Sequence, residues 1–205
     1  MSAVAIAIGF SVLAYLIGGL PFGYWFVLLK AGKDIRTMGS GNIGATNVHR
    51  TIGRNAGLIV LVLDIFKGYL AVLLAALLTH GNATVMALAA VFVMVGHCYP
   101  VFLRFKGGKA VACYVGAFLF LAPWALLVVL VLFIAVVALW RYISMGSMVC
   151  AALFPIFYWI MYRPDQALLT ASIFCGLLII YRHKGNIERL RNGKENVFSL
   201  KGGRA

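Results

Sequence analysis

Three polar segments of this chain carry residue types at spacings that suit phosphate binding. The first is Gly39-Ser40-Gly41-Asn42-Ile43-Gly44-Ala45-Thr46-Asn47-Val48-His49-Arg50. Its glycines, Gly39, Gly41 and Gly44, permit positive φ and close backbone approach. Successive N–H groups can then form a concave anion nest. Ser40, Asn42, Thr46 and Asn47 add neutral donors, and Arg50 adds a full charge. No Gly-Lys-Ser/Thr follows, so the segment is not a Walker loop.

The second segment is Gly96-His97-Cys98-Tyr99-Pro100-Val101-Phe102-Leu103-Arg104-Phe105-Lys106-Gly107-Gly108-Lys109. Lys109 follows the Gly107-Gly108 pair and opens an apolar stretch. A helix start there offers free N–H groups and partial positive charge to an anion. Arg104 and Lys106 equally suit cations snorkelling at a membrane boundary, and His97 suits a structural hydrogen bond. The third segment is His183-Lys184-Gly185-Asn186-Ile187-Glu188-Arg189-Leu190. His183, with an ordinary pKa near operating pH, suits a general base or a phosphate ligand, and Asn186 supplies an amide beside it. The His183/Glu188 spacing loosely matches a His-x4-acid pattern of soluble acyltransferases. Such a match carries little weight in a chain with four His and five acidic residues.

What holds these segments must be a membrane bundle. The 205 residues are 63% hydrophobic and only 11% charged, against about a quarter charged in soluble domains, so lipid is the expected solvent. Spans of about 20 apolar residues are expected at Ala3–Leu29, Leu58–Leu78, Thr84–Leu103, Tyr142–Tyr162 and Ala167–Tyr181. The apolar run Lys109–Trp140 would be about 48 Å long as one helix, too long for a core of about 30 Å. Pro123 divides it into a short span, Ala110–Ala122, and a second one after it. The expectation is a single all-α domain, residues 1–205, with seven transmembrane helices. The first helix lacks a basic flank and a cleavage site, so it is expected to be retained. A short membrane helix usually lines a cavity, because lipid cannot satisfy loose backbone.

Seven spans place 16 of the 18 Lys and Arg on one side. Excess positive charge marks the cytoplasmic face. The N-terminus is therefore expected outside, and the basic tail, about 182–205, inside. All three polar segments then meet the cytoplasm. The pair Asp64 and Lys67 lies within the second span, three residues apart on one helical face, where mutual neutralisation is expected. Ser144 and Ser147 follow Arg141 close to the cytoplasmic side, where one of them can reach the site. The four cysteines form no CxxC pair and read as small buried hydrophobes.

Taken together, the three segments resemble the signature motifs of the bacterial membrane acyl-phosphate:glycerol-3-phosphate acyltransferase family. That pattern reads roughly GSGNxGATNxxR, GHxxPxFxxFKGGK and HxxNIxRLxxGxE. It falls here on Gly39–Arg50, Gly96–Lys109 and His183–Glu195, with Asp64-x-x-Lys67-Gly68 between the first two. Ala110 and Cys113 stand where the family has Gly and Thr. The resemblance implies acyl transfer from a fatty acyl phosphate to the sn-1 hydroxyl of glycerol 3-phosphate, giving lysophosphatidate and phosphate. It implies a multi-pass protein of the bacterial cytoplasmic (inner) membrane, with its site facing the cytoplasm. Membrane lipid is the expected surrounding partner, with no metal, cofactor or nucleic acid, and the protein is expected to be a monomer. Carried over, Lys109, His183, Ser40 and Arg50 are the catalytic candidates. Gly39, Gly41, Asn42, Gly44, Thr46, Asn47, Gly107, Gly108, Ser144, Ser147 and Asn186 are the binding candidates. The rival reading is a membrane transporter of an organic phosphate, which would use the same basic pocket but place it mid-membrane.

Overall fold

A bilayer offers backbone groups no hydrogen-bond partners, so an apolar chain crosses it as helices. The computed structural model describes residues 2–199, and all regular structure among them is helical. Ten α-helices follow in order: α1 (Ala3–Gly19), α2 (Phe22–Ala31), α3 (Ala45–Thr51), α4 (Arg54–Leu78) and α5 (Ala83–Cys98), then α6 (Val111–Leu121), α7 (Pro123–Trp140), α8 (Ile143–Tyr162), α9 (Gln166–Arg182) and α10 (Lys184–Arg191). Short 3-10 turns occupy Ile35–Thr37 and Val101–Leu103. The tail cations Lys201 and Arg204 lie outside the described residues.

Among the described residues, five helical stretches are long and apolar enough to cross a membrane: Ala3–Ala31, Arg54–Leu78, Ala83–Leu103, Pro123–Trp140 and Ile143–Tyr162. A sixth follows if α9 and α10, bent by 53°, are taken together. Helix α6 has 11 residues and reaches about 17 Å. The expected division of the long apolar run falls at Pro123. Ala122 caps both helices and Pro123 takes the first position of α7, where a missing N–H costs nothing. The Trp124 N–H, another orphan of that first turn, donates to the Tyr162 hydroxyl at 3.1 Å.

The first span departs from expectation. It breaks at Leu20-Pro21 instead of running unbroken to Leu29. The break frees the Leu20 carbonyl, and the Lys67 ammonium donates to it at 2.8 Å. The same ammonium lies 2.8 Å from Asp64 Oδ1, and both side chains are buried, so the expected neutralisation is present. His97 Nδ1 lies 3.7 Å from that carboxylate. Asp64, His97 and Cys113 bring three donor atoms within 4.8 Å of one another. Lys67 already balances the only anion among them, which makes the trio a poor cation site. Cys98, Cys113 and Cys175 are buried and Cys150 is partly so, all as free thiols.

Small residues let the helices touch. A Cβ on Gly116 of α6 would lie 1.9 Å from the Ile65 carbonyl oxygen of α4, and one on Gly68 of α4 would lie 2.2 Å from that of Cys113. Close backbone approach of this kind replaces the missing hydrophobic drive in lipid. Around it, Tyr114, Phe118, Phe154 and Tyr158 form a buried aromatic ladder joining α6 to α8. A second, smaller core of Val27, Ile35, Ile43, Val48 and Val60 underlies the first polar loop.

Gly116→Ala is expected to destabilise the protein by about 3 kcal/mol, at the upper end of the cost of overpacking. Thermal unfolding in detergent, followed by tryptophan fluorescence, reads this. Gly9→Ala, where nothing lies within 4 Å, should leave the midpoint unchanged. Equal midpoints for both variants would disprove the backbone contact.

Candidate active site

The first polar loop is fastened from within by its own amides. Asn47, on α3, accepts from the Ser40 N–H at 2.9 Å and donates to the carbonyls of Met38 and Asn42, each at 2.9 Å. Asn42 accepts from the Gly44 N–H at 2.8 Å. Gly39 must be glycine, since its φ is 56° and a Cβ would lie 2.3 Å from Asn47 Oδ1. Thus Asn47 spends its side-chain amide holding the loop and Asn42 spends its Oδ1 there, while the Asn42 Nδ2 makes no hydrogen bond among the described residues. Asn47 is buried at 2% exposure. Ser40 and Thr46 are exposed, so their hydroxyls remain the loop's outward donors. Gly41, at φ 70°, and Gly44, which caps α3, shape the turn between them.

The second loop is clamped from both sides. Below it, the Gly108 N–H donates to the His97 carbonyl at 2.9 Å and the Gly107 N–H to that of Cys98 at 3.2 Å. The His97 ring packs so closely that a Cβ on Gly108 would lie 2.1 Å from its Nε2. His97 is therefore structural, as its place beside Pro100 suggests. On the other side, Arg182 donates from Nε to the Gly108 carbonyl at 3.0 Å and from Nη2 to that of Gly107 at 3.1 Å. Its guanidinium stacks over Tyr99, 4.8 Å from the ring centre. One cation at the end of α9 thus fixes the turn that presents Lys109.

The third segment meets Lys109 directly. The Lys109 ammonium donates to Asn186 Oδ1. Asn186 Nδ2 donates to Glu195 Oε1 at 2.7 Å, and Ser144 on α8 donates to the same oxygen at 3.0 Å. Arg189 donates to Glu195 Oε2 at 2.8 Å. Arg50 lies close enough to Glu195, Arg189 and Lys109 for their charges to act on one another. Lys109, Asn186, Ser144 and Arg50 are therefore brought together, with Arg189 and Glu195 added. Ser147 is not among them, because its hydroxyl donates to the Ile143 carbonyl of its own helix at 2.9 Å. Beyond Glu195 the chain packs against Arg141 and His49. The Phe198 N–H donates to the Arg141 carbonyl at 2.7 Å, and the His49 and Phe198 rings sit 6.0 Å apart.

Two titrations are set by this packing. Burial, reinforced by Arg189, lowers the Lys109 ammonium to about 8, while Glu195 opposes the shift. Burial first, then Lys109, lowers His183 to about 4. His183 is therefore neutral at pH 7, which corrects the expectation of a ring titrating near neutrality. Its Nδ1 donates to the Ile179 carbonyl at 2.8 Å. A carbonyl only accepts, so in the neutral ring Nε2 carries the lone pair. Glu188, the acid of the loose His-x4-acid match, is exposed while His183 is buried.

Arg182 and Glu195 make contacts at the candidate site that residue reading did not select. Arg182 was visible only as one of many cations after the last span. Glu195 had a clearer signal, as the closing acid of the third motif in a chain of few acids.

The fold and the site define a multi-pass helical membrane protein with a cationic polar pocket built from three separated segments. Residues 8–193 match the model of a family described as glycerol-3-phosphate acyltransferase. A glycerol-3-phosphate acyltransferase of Syntrophotalea carbinolica is 47% identical over 90% of this chain and 94% of its own. One of Fusobacterium nucleatum is 39% identical over 93% of this chain and 97% of its own. The crystal structure of PlsY, an integral membrane glycerol 3-phosphate acyltransferase, in its glycerol 3-phosphate form superposes with a TM-score of 0.89. It is 36% identical over 94% of this chain and 96% of that one. Its lysophosphatidic acid form gives a TM-score of 0.85 at 35% identity, over 94% of this chain and 95% of that one. This chain belongs to the glycerol-3-phosphate acyltransferase family.

Sulfate, whose charge is constant between pH 7 and 9, probes the Lys109 ammonium. As pH rises through about 8 the ammonium is lost, so sulfate affinity by calorimetry should fall about tenfold by pH 9. Lys109→Arg should abolish the fall. Glu195→Gln should move it to lower pH, because Glu195 supports the charged form. A flat profile in the wild type would remove Lys109 from the anion site.

Proposed function

We propose that this protein transfers a fatty acyl group from an acyl phosphate to the sn-1 hydroxyl of glycerol 3-phosphate, releasing phosphate and lysophosphatidate. The observation that carries the reading is the meeting of Lys109, Asn186, Ser144 and Arg50 from segments up to 136 residues apart. It is supported by relatives named for glycerol 3-phosphate acyl transfer over nearly the whole chain.

The chemistry fits an activated donor. An acyl phosphate is a mixed anhydride, and phosphate is a good leaving group, so no covalent enzyme intermediate is needed. The glycerol hydroxyl attacks the acyl carbonyl, its oxygen bonds to that carbon, and the carbon–oxygen bond to phosphate breaks. Ser40, Thr46 and the amides of the Gly39–Gly44 loop hold the donor's phosphate. Arg50, Lys109 and Asn186 hold the acceptor's, with Ser144 and Glu195 orienting Asn186. The hydroxyl proton passes either to Nε2 of His183 or to an oxygen of the departing phosphate. Positioning and charge stabilisation supply the acceleration. No metal or cofactor takes part in these steps.

The same reading takes α6 as a short seventh membrane segment. It places the three loops in the cytoplasm and the chain in a bacterial cytoplasmic membrane as a monomer and single domain.

Purified protein given palmitoyl phosphate and glycerol 3-phosphate should release phosphate only when both are present, in step with lysophosphatidate. Lys109→Ala should lower kcat/KM at least about 100-fold, as removal of an oxyanion donor does. His183→Gln should lower kcat by a similar factor if Nε2 takes the proton, and by less than about tenfold if a substrate oxygen does. Folded protein inert with acyl phosphate, acyl-CoA and acyl carrier protein donors alike would refute acyl transfer and leave transport of an organic phosphate as the function.

A further inference from the structure

Beside the Lys109 site lies a cavity of about 920 Å³. Gly41 of the first polar loop, Gly107 and Arg182 line it, whereas Lys109, Asn186, Ser144, Arg50 and His183 do not. Arg182 and Gly107 thus belong both to the clamp behind Lys109 and to the wall of this cavity. Four of its wall residues are cations, and two of these are already engaged. Arg36 is paired with Asp34, its Nη2 2.6 Å from Oδ2, and Arg182 is bound to the loop carbonyls. The side chains of Arg104 and Lys106 make no hydrogen bond or ion pair with any group among the described residues.

The backbone holds these two cations outward in an unusual way. Arg104 and Phe105 lie consecutively in the left-handed region, at φ 53° and 62°, which L-residues seldom adopt. Leu103 anchors the turn in the smaller core. The result leaves Phe102 51% and Phe105 59% exposed, either side of Arg104. Tyr24 of α2 forms another wall, and Leu29 in the last turn of α2 is 87% exposed. Aromatic and aliphatic faces interleaved with unpaired cations, at the end of a spanning helix, match the boundary between acyl chains and headgroups. Such cations attract anionic lipids. A small polar phosphate ester would leave the aromatic rim uncovered.

We infer that this cavity binds the phosphate headgroup of an anionic phospholipid. Arg104 and Lys106 contact the phosphate, and Phe102 and Phe105 pack against the start of the acyl chains. A zwitterionic lipid fits less well, because its own ammonium competes with these cations. The inference rests on the membrane fold; because Gly41, in the loop assigned to the donor's phosphate, is also a wall residue, the test below separates phospholipid from acyl donor.

Native mass spectrometry of the purified full chain in mixed micelles tests this, with phosphatidylglycerol and phosphatidylcholine of matched chains. Wild-type protein should retain phosphatidylglycerol at least about tenfold in preference, and 0.5 M salt in the micelle step should reduce that preference, as screening requires. The Arg104→Gln/Lys106→Gln variant should lose it while melting normally. Lys30→Gln/Lys33→Gln, which alters cations outside the cavity, should keep it. An equal preference in the Arg104/Lys106 variant, or no preference in the wild type, overturns the proposal. So does displacement of phosphatidylglycerol by palmitoyl phosphate together with a tenfold rise in its KM in that variant, which would give the cavity to the acyl donor.

Discussion

Cations gathered in a half-buried pocket repel one another, and the pocket can form only if something of opposite sign stands among them. Glu195 is that group. Its two oxygens take hydrogen bonds from Ser144, Asn186 and Arg189, and its charge supports the Lys109 ammonium. Through these contacts the tail, α8, α10 and the turn before α6 share one electrostatic centre. Removing one partner of such a buried charge cluster is costly, because the remaining charges lose their compensation.

A second pairing plays the same part deeper in the bundle. Lys67 sits where its ammonium meets both the Asp64 carboxylate and the carbonyl released by the break at Leu20-Pro21. The break and the buried charge therefore explain one another. A continuous first helix would have tied up the Leu20 carbonyl and left the ammonium with Asp64 alone, whereas the break lets that carbonyl accept from both the Phe22 N–H, at 3.1 Å, and Lys67.

Much of this architecture was legible in the residues. The apolar runs located the helices, Pro123 divided the long one correctly, and the spacing of Asp64 and Lys67 predicted their pairing. The three polar segments also pointed to the pocket, and Lys109, Asn186, Ser144 and Arg50 met there. What stayed hidden depends on contacts between distant parts of the chain. Ser144 and Glu195 are 51 residues apart, and no local pattern distinguishes Ser144, which reaches across, from Ser147, which turns back on its own helix. Asn42 and Asn47 show the same limit. An amide that can bind a ligand can equally tie a loop, and only the packing around Met38 and Ser40 decides. The break at Pro21 had its signal in Gly18-Gly19-Leu20-Pro21, but Ala3–Leu29 is short enough for one span and so, unlike the run around Pro123, did not demand division.

The buried state of the four thiols has a practical side. Cys98, Cys113 and Cys175 lie within the helical core and Cys150 is partly covered, its sulfur against the Val129 carbonyl at 3.0 Å. Three of the four sulfurs are thus shielded from reagents, and the fourth lies within a membrane helix. A reporter cysteine placed in any loop would stand alone against a silent background. Membrane sidedness could then be mapped residue by residue on the otherwise native chain, without first stripping out cysteines that its close-packed helices use as filler.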